Sequence, residues 1–461
     1  MTETRPFGLV DLILLVGILG AAAGLRAGYL LGACNQGNDG GPIQIQDDWE
    51  SQRNQLVANL KDGRGFVMLA PLAPREEATA HTSVGYPWLL AFVERVSADR
   101  SDAHTLVRWI QCGLGALTAA LYFLFARRAF NSLLVGSLAG LLAAVHPFWI
   151  VNTAEINDGV LATFLLAAGL FLGVRGGHQG GALTSLVFGL VLAGLACARA
   201  ALLPFAFVAV LWYLLRCRTL HRGWLYAVVA FLGFINGLIP WTVRNYQTFN
   251  TVVPLVDSAY LHLWIGNQAH ASGGPLLDEQ IGKVFRESYG EEAEKSLEKL
   301  PQPQRYNQLI WKVLNEIQDD PGGALERRLR AGLGFFVGSN WLEKYQDTRS
   351  LWRDLEPSAE REWEWLSRLT PVALKGSLLV LLLLGAIGWR WSYAWRYESL
   401  PASLAVFWIP LPYILSHAEA YHGPRLPLDG VLLSYAAFVI ASAVPGVGRF
   451  LFRTYRGESG T

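Results

Sequence analysis

The sequence predicts an all-α polytopic membrane protein of about ten transmembrane helices, with eight to thirteen as the bounds. Three observations carry this. Charged residues make up only 16% of the 461 and hydrophobic ones 52%, whereas soluble domains hold about 25% charged. The apolar residues gather in blocks of roughly 17–25, enough to cross about 30 Å of hydrocarbon as a helix. The 17 Trp suit a chain with many helix ends at the membrane–water interface.

The apolar blocks place helices near 8–31, 104–125, 132–151, 156–174, 182–197, 199–216, 223–243, 371–389, 400–416 and 427–445. The first follows Arg5 and contains Ala21-Ala22-Ala23-Gly24. It resembles a secretory signal, but it outruns the roughly 7–15-residue apolar core of a cleaved one and is read as a retained helix. The pair over 182–216 reads either as two helices or as one bent hairpin around Arg199 and Pro204. The stretch 329–338 is too short to span and is expected at the surface. The four cysteines, at 34, 112, 197 and 217, form no CxxC pair; they suit small apolar fillers rather than a disulfide or zinc framework.

Lys and Arg in short loops orient such a chain. Arg127-Arg128, Arg175, Arg216, Arg218, Arg222, Arg390 and Arg396 all fall on one side, with Arg449, Arg453 and Arg456 in the tail. That side is cytoplasmic, and the N-terminus lies there too. Two long segments are then outside, 32–103 and 244–370. The expected organisation is a membrane domain over 1–243 that includes the first outer loop, a small outer cap over 244–370, and C-terminal transmembrane helices with a cytoplasmic tail over 371–461. In the cap, Ile310, Val313, Leu314 and Ile317 repeat at helical spacing, and Asp320-Pro321 ends that helix. The formal net charge of +1 leaves no basic field to draw nucleic acid.

Chemistry-bearing residues collect on the outer side. Gln46-Asp47-Asp48-Trp49 follows the first helix. Ile45, Trp49, Leu56 and Leu60 then share one face, which predicts an amphipathic helix in the interface plane, ended by Gly63-Arg64-Gly65. A second outer loop, Asn152-Thr153-Ala154-Glu155-Ile156-Asn157-Asp158, carries two more carboxylates. A third, from Ser416 to Arg425, brings His417, His422 and Arg425, and Arg244 closes the seventh helix. Ionisable groups at membrane depth are costly and mark sites. Carboxylates beside Arg and His suit a reaction that removes a proton and holds an anionic leaving group. Neither a G-x-G-x-x-G turn nor a P-loop is present, which disfavours a nucleotide-activated donor and favours a lipid-linked phosphate.

The order of short motifs resembles the membrane-embedded lipid-phosphosugar glycosyltransferases of the C-type fold. The likeness is to the dolichyl-phosphate-mannose protein mannosyltransferases (glycosyltransferase family 39) and to the bacterial aminoarabinose transferases that modify lipid A. It rests on Gln46-Asp47-Asp48, Ala58-Asn59-Leu60, Gly63-Arg64-Gly65-Phe66 and Gly85-Tyr86-Pro87-Trp88. It continues through Ala144-Val145-His146-Pro147, Trp241-Thr242-Val243-Arg244-Asn245-Tyr246, Leu263-Trp264-Ile265-Gly266-Asn267 and Arg425-Leu426-Pro427-Leu428-Asp429.

The resemblance implies an inverting transferase that moves a sugar, hexosyl or pentosyl, from a polyprenyl-phosphate donor to a hydroxyl on a protein, lipid or glycan. It implies the plasma (inner) membrane, with the site facing the periplasm. Asp47 matches the general base, and Asp48 stands where the family often has Glu. Trp49-Glu50-Ser51 departs from the pattern, in which a Tyr often lies a little downstream. Glu155 and Asp158 match the second acidic site, which orients the base, binds the acceptor or, in some relatives, helps hold Mg²⁺ or Mn²⁺. No cofactor is firmly implied. Arg199, Arg244, His417, His422 and Arg425 are the expected contacts to the lipid phosphate.

Plainer readings stand beside these: helix caps for Asp47, Asp48 and Asp158, snorkelling for Arg244, a partner to a carboxylate for Arg199, a surface loop for His422 and a turn for Asn267. The alternative functions are a transporter or flippase of a lipid-linked sugar, which predicts inverted repeats and broken helices at the midplane, and a surface-glycan polymerase or ligase.

Overall fold

The computed structural model describes residues 7–34, 48–269, 271–276, 278–337, 376–395, 398–418 and 424–446. The helices of the first half are α1 (Leu9–Cys34), α2 (Asp48–Lys61), α3 (Gly85–Val96), α4 (Arg100–Ala129), α5 (Leu133–Val145), α6 (Pro147–Asn152), α7 (Gly159–Gln179), α8 (Ala182–Ala198), α9 (Leu203–Cys217) and α10 (Gly223–Phe249). Then come α11 (Ala259–Asn267), α12 (Asp278–Tyr289), α13 (Glu291–Glu298), α14 (Gln302–Asp319) and α15 (Pro321–Phe336). The last four are α16 (Gly376–Trp391), α17 (Leu400–Trp408), α18 (Pro410–Leu415) and α19 (Leu426–Ala443). Among the described residues the only strands are a two-stranded hairpin, β1 (Val67–Met68) and β2 (Glu77–Ala78), paired antiparallel.

Six helical stretches are long and apolar enough to cross a membrane: Leu9–Leu31, Arg100–Ala129, Gly159–Gln179, Ala200–Cys217, Gly223–Phe249 and Leu426–Ala443. Shorter apolar helices at Leu133–Val145, Ala182–Ala198, Gly376–Trp391 and Leu400–Leu415 fall on the remaining expected segments. The chain is an integral membrane protein. The stretch 182–216 is two helices. Arg199 is extended between them (φ −146°, ψ 102°), followed by a 3-10 turn, Ala200–Leu202.

Helix α8 packs along α10, α4 lies against α1, α5 and α7, and α19 closes on α5 and α7. Small side chains fill these contacts: Ala116, Ala119, Ala126, Ala139 and Ala143 are all buried. In lipid the helices gain by close van der Waals approach, which small residues allow. Fully buried Arg26 of α1 donates to the carbonyls of Ala143 and Ala144, groups that α5 leaves unpaired where His146-Pro147 ends it. At the other end of the bundle, Arg127 of α4 pairs with Asp11 of α1, and Glu398 meets His178 of α7 and Arg216 of α9.

The segment between α1 and α4 adds a correction. The buried face of α2, Leu56, Val57 and Leu60, is turned onto α3, not out toward lipid. The outward apolar stripe belongs to α3, where Trp88, Phe92 and Val96 are exposed, the composition of an interfacial helix. Helix α3 supplies the partner face that the reading of α2 alone omitted.

Helices α11 to α14 bury a separate apolar cluster that includes Trp264, Phe285, Tyr306, Leu309 and Val313. Helix α14 forms as expected, but its face is rotated. Tyr306, Leu309 and Val313 are inside, while Leu314 and Ile317 are exposed. Tyr306 and Leu309 continue the stripe of Val313 one turn earlier, toward the neighbours. The expected surface stretch 329–338 lies largely in the longer α15, which buries Ala331 and Phe335 and stacks Phe335 on Tyr413.

The closest approach of α8 and α10 depends on Gly189. A Cβ there would meet the Ala230 carbonyl oxygen at 2.1 Å, whereas one at Gly194 would have nothing nearer than 3.9 Å. Gly189→Ala is therefore expected to cost about 1–3 kcal/mol by overpacking and to lower the melting temperature in detergent, while Gly194→Ala melts like the parent. Equal melting of the two variants would rule out so close a contact.

Candidate functional site

The loop between α6 and α7 is held by its backbone. The carbonyls of Thr153 and Glu155 accept from the Gln111 amide at 3.0 and 2.7 Å, that of Ala154 from Arg108 at 2.9 Å, and that of Ile156 from Arg53 of α2. Gln111 is in turn fixed by the Tyr86 hydroxyl at 2.9 Å. Arg53 thus ties α2 to the second acidic loop, and Asp48 opens α2 a turn and a half earlier. Asp47 lies outside the described residues, as does the side chain of Asp48.

The two carboxylates of the loop are in place. Glu155 Oε2 accepts from the Asn152 and Asn157 amides, both at 2.9 Å. Asp158 faces Arg199 as a two-pronged pair, Nε to Oδ2 at 2.8 Å and Nη2 to Oδ1 at 2.5 Å. Tyr413 bonds the same guanidinium. This pair explains the extended Arg199 between α8 and α9. Among the described residues no group of three or more His, Cys, Asp or Glu is placed to hold a metal ion, and the described acidic loop directs its carboxylates at amides and a guanidinium.

Beside this pair lies a cavity of about 570 Å³, within the usual range for a ligand site. Its walls come from residues 81–83, 199–204, 254–263 and 408–417. They are mainly apolar, as at Leu203, Pro204, Leu255 and Leu411. Three histidines line it: His81, His262 and His417. The Nδ1 of His262 and Nε2 of His417 are 3.0 Å apart. Burial drives His81 down to about 3, His262 to about 4 and His417 to about 3, so all three rings are neutral at pH 7.

The walls are bolted together by polar bonds. Ser258 Oγ donates to the His81 carbonyl at 2.6 Å, Asp257 N to Ala80 O at 3.1 Å, and Ala200 N to Ser83 Oγ at 2.9 Å. Asn267 bridges α11 to the Leu415 carbonyl at 3.2 Å, a tie rather than the turn expected of it. Asp257 accepts from Gln302 at 3.0 Å, and its Oδ2 is buried without a partner. Burial pushes this carboxyl up to about 7.

The remaining expected phosphate contacts sit elsewhere. Arg244 donates to Thr79 O at 2.7 Å and Phe66 O at 3.0 Å, and lies 4.8 Å over the Trp241 ring. It pins the β1–β2 hairpin to α10 and is not in the cavity wall. Arg425 pairs with Asp429 at 2.9 Å and donates to Phe336 O at 3.1 Å. Asp429 also lies 3.7 Å from His146. His422 is outside the described residues. Arg199 and His417 are the two expected contacts that the cavity brings together. The sequence reading missed Arg53, His81 and His262. Only His262 carried a signal, a lone polar residue within Tyr260-Leu261-His262-Leu263-Trp264.

No protein-family model matches the chain, and no curated protein does. Among solved structures, the Archaeoglobus fulgidus oligosaccharyltransferase in its apo form is 15% identical, with 96% of this chain and 52% of that one covered at a TM-score of 0.52. The same protein tethered to an acceptor peptide containing the NVT sequon is 12% identical, covering 97% and 51% at 0.53. Its complex with an inhibitory peptide and a dolichol-phosphate is 12% identical, covering 98% and 53% at 0.51. The chain therefore spans about half the length of that protein. These matches establish the fold, the C-type glycosyltransferase fold that the motif order implied.

Two outcomes follow. Asp158→Leu or Arg199→Met alone leaves a largely buried charge unpaired and is expected to cost on the order of 3 kcal/mol; the double variant recovers most of it, and additive losses would refute the pairing. For Asp257 the folded pKa is above the ordinary 3.8, so the native state holds a proton that the unfolded chain releases. Its stabilising share is complete below about pH 4 and is lost as pH rises through about 7. Melting curves should fall between pH 5 and 8, less so in Asp257→Asn; an unchanged slope in that variant would assign the effect to other groups.

Proposed function

We propose that this chain is an inverting glycosyltransferase of the inner membrane that moves a sugar from a polyprenyl-phosphate donor to a hydroxyl acceptor on the periplasmic side. The observation that carries the reading is the apolar cavity beside the Asp158–Arg199 pair: it suits a prenyl chain with its phosphate at a polar wall, next to a loop of carboxylates for the acceptor. The fold shared with the archaeal oligosaccharyltransferase agrees with it.

In this reading Asp47, with Asp48 as the nearest substitute, takes the acceptor hydroxyl proton. The acceptor oxygen attacks the anomeric carbon from the face opposite the phosphate. The new C–O bond forms as the sugar–phosphate C–O bond breaks, and the polyprenyl phosphate leaves with the electron pair. The configuration inverts. Glu155 and Asp158 set the acceptor side, and Arg199 and His417 contact the phosphate. The acceptor class, whether protein, lipid or glycan, is chosen by groups beyond this machinery.

The test is transfer of a radiolabelled hexose from a polyprenyl phosphate to pooled membrane acceptors by the purified protein in detergent. Asp47→Asn is expected to lose about 100-fold or more with donor binding intact, the share of a general base being roughly 10²–10⁴. Loss only in Asp48→Asn moves the base by one residue. If neither variant matters and no donor releases lipid phosphate, the carboxylates are caps, the reading falls and the transporter alternative moves ahead.

A further inference from the structure

Three imidazoles share one wall of a cavity whose lining guanidinium, Arg199, is already paired with Asp158. His262 projects from α11, His417 follows α18, and His81 precedes α3. The His262 and His417 rings bond at 3.0 Å, the His81 and His262 ring centroids are 5.9 Å apart, and Nδ1 of His417 is buried with no partner. A bond between two neutral rings uses one ring's N–H and the other's lone pair, so the donor ring keeps a bare nitrogen and the pair can take up one proton.

The charged and titratable groups around them are engaged. Arg199 is held by Asp158 and Tyr413. Arg328 of α15 turns its terminal nitrogens to the carbonyls of Gly266, Ile414 and Ser416. Tyr306 of α14 contacts the Pro71 carbonyl and Nδ1 of His81, and Asp257 takes the Gln302 amide. Among the described residues no carboxylate is paired with any of the three rings. Arg199 is charge-matched by Asp158, and Arg328 stays charged but spends its terminal nitrogens on carbonyls; a proton taken up by the wall therefore adds a cationic donor that the cavity otherwise lacks.

Resting on the donor reading above, we propose that the His262–His417 pair, backed by His81, is a phosphate-binding wall that takes up a proton as a phosphate ester enters the cavity. A buried anion stabilises the imidazolium that burial alone disfavours. The wall then stands charged before the chemistry begins. Cleavage of the sugar–phosphate C–O bond turns a singly charged diester into a doubly charged monoester, while the acceptor proton goes to the carboxylate. The imidazolium faces that second charge as it develops.

The experiment is calorimetric titration of the purified protein in detergent between pH 5.5 and 8, in two buffers of different ionisation enthalpy. The probes are citronellyl phosphate, its methyl diester, which has one charge that does not titrate in this range, and inorganic phosphate. One linked proton weakens binding by up to about tenfold per pH unit as pH rises. The expected result is such a slope for the diester, with proton uptake, in the parent protein. His262→Gln/His417→Gln, which keeps ring-like hydrogen bonding without the charge, should lose both the slope and about tenfold in affinity at pH 6. A flat profile in the parent, which needs no variant, or a slope that survives in the double variant, overturns the proposal. If the lipid phosphates bind with a flat profile, the donor reading stands and the histidine wall falls. If inorganic phosphate binds with the full histidine-dependent slope and the prenyl chain adds nothing, the wall stands with a free phosphate as its ligand, and the donor reading falls.

Discussion

A break in a membrane bundle exposes carbonyls that lipid cannot satisfy, and the candidate site of this protein depends on how the break between α6 and α7 is answered. Four consecutive carbonyls, Thr153 to Ile156, accept from Gln111, Arg108 and Arg53. These donors come from α4 and α2, so the loop, the first outer helix and the bundle are fixed to one another by the same bonds. Glu155 and Asp158 take their positions from that frame. So does α2, whose first residue belongs to the acidic motif.

Charge balance is local throughout the bundle. Arg26 answers the end of α5, Arg127 answers Asp11, and Arg425 answers Asp429. Asp158 answers Arg199. Each of these ions meets a partner within hydrogen-bond reach, as the cost of burying a lone charge requires. The result is a cavity whose walls carry dipoles and neutral rings, and whose single wall guanidinium among the described residues is already matched. A chain of hydrocarbon can enter without displacing a charge.

The roof of the cavity is set by close approach between the cap and α18. A Cβ at Gly266 would meet the Ser416 carbonyl oxygen at 1.6 Å. With no side chain there, α11 comes down on the end of α18, and Arg328 and Asn267 fasten it by the exposed carbonyls. His417 is thereby delivered to His262. The same helices bury Trp264 and Tyr306 in the cap's own apolar cluster, so the cap and the site wall are one packing arrangement.

The fold was legible because hydrocarbon imposes a simple rule. An apolar block of helical length must be a helix that satisfies its own backbone, and all ten such blocks appear as apolar helices. The faces of α2 and α14 were not legible, because a half-apolar helix does not say which neighbour it covers; α3 decided the first and the cap cluster the second. Arg199 and His417 could be singled out from their place at apolar helix ends, and both line the cavity. Arg244 looked equivalent in sequence, yet carbonyls 165 and 178 residues away claim its guanidinium. His262 stands out only as a lone polar residue in an apolar stretch and His81 carries no local signal, since their meeting depends on how the loop before α3 and the first turn of α11 are brought to one wall. Composition and block length thus determined the helical membrane architecture. Which cations remain available, and which rings share a cavity, is a matter of long-range hydrogen bonding that only the tertiary structure decided.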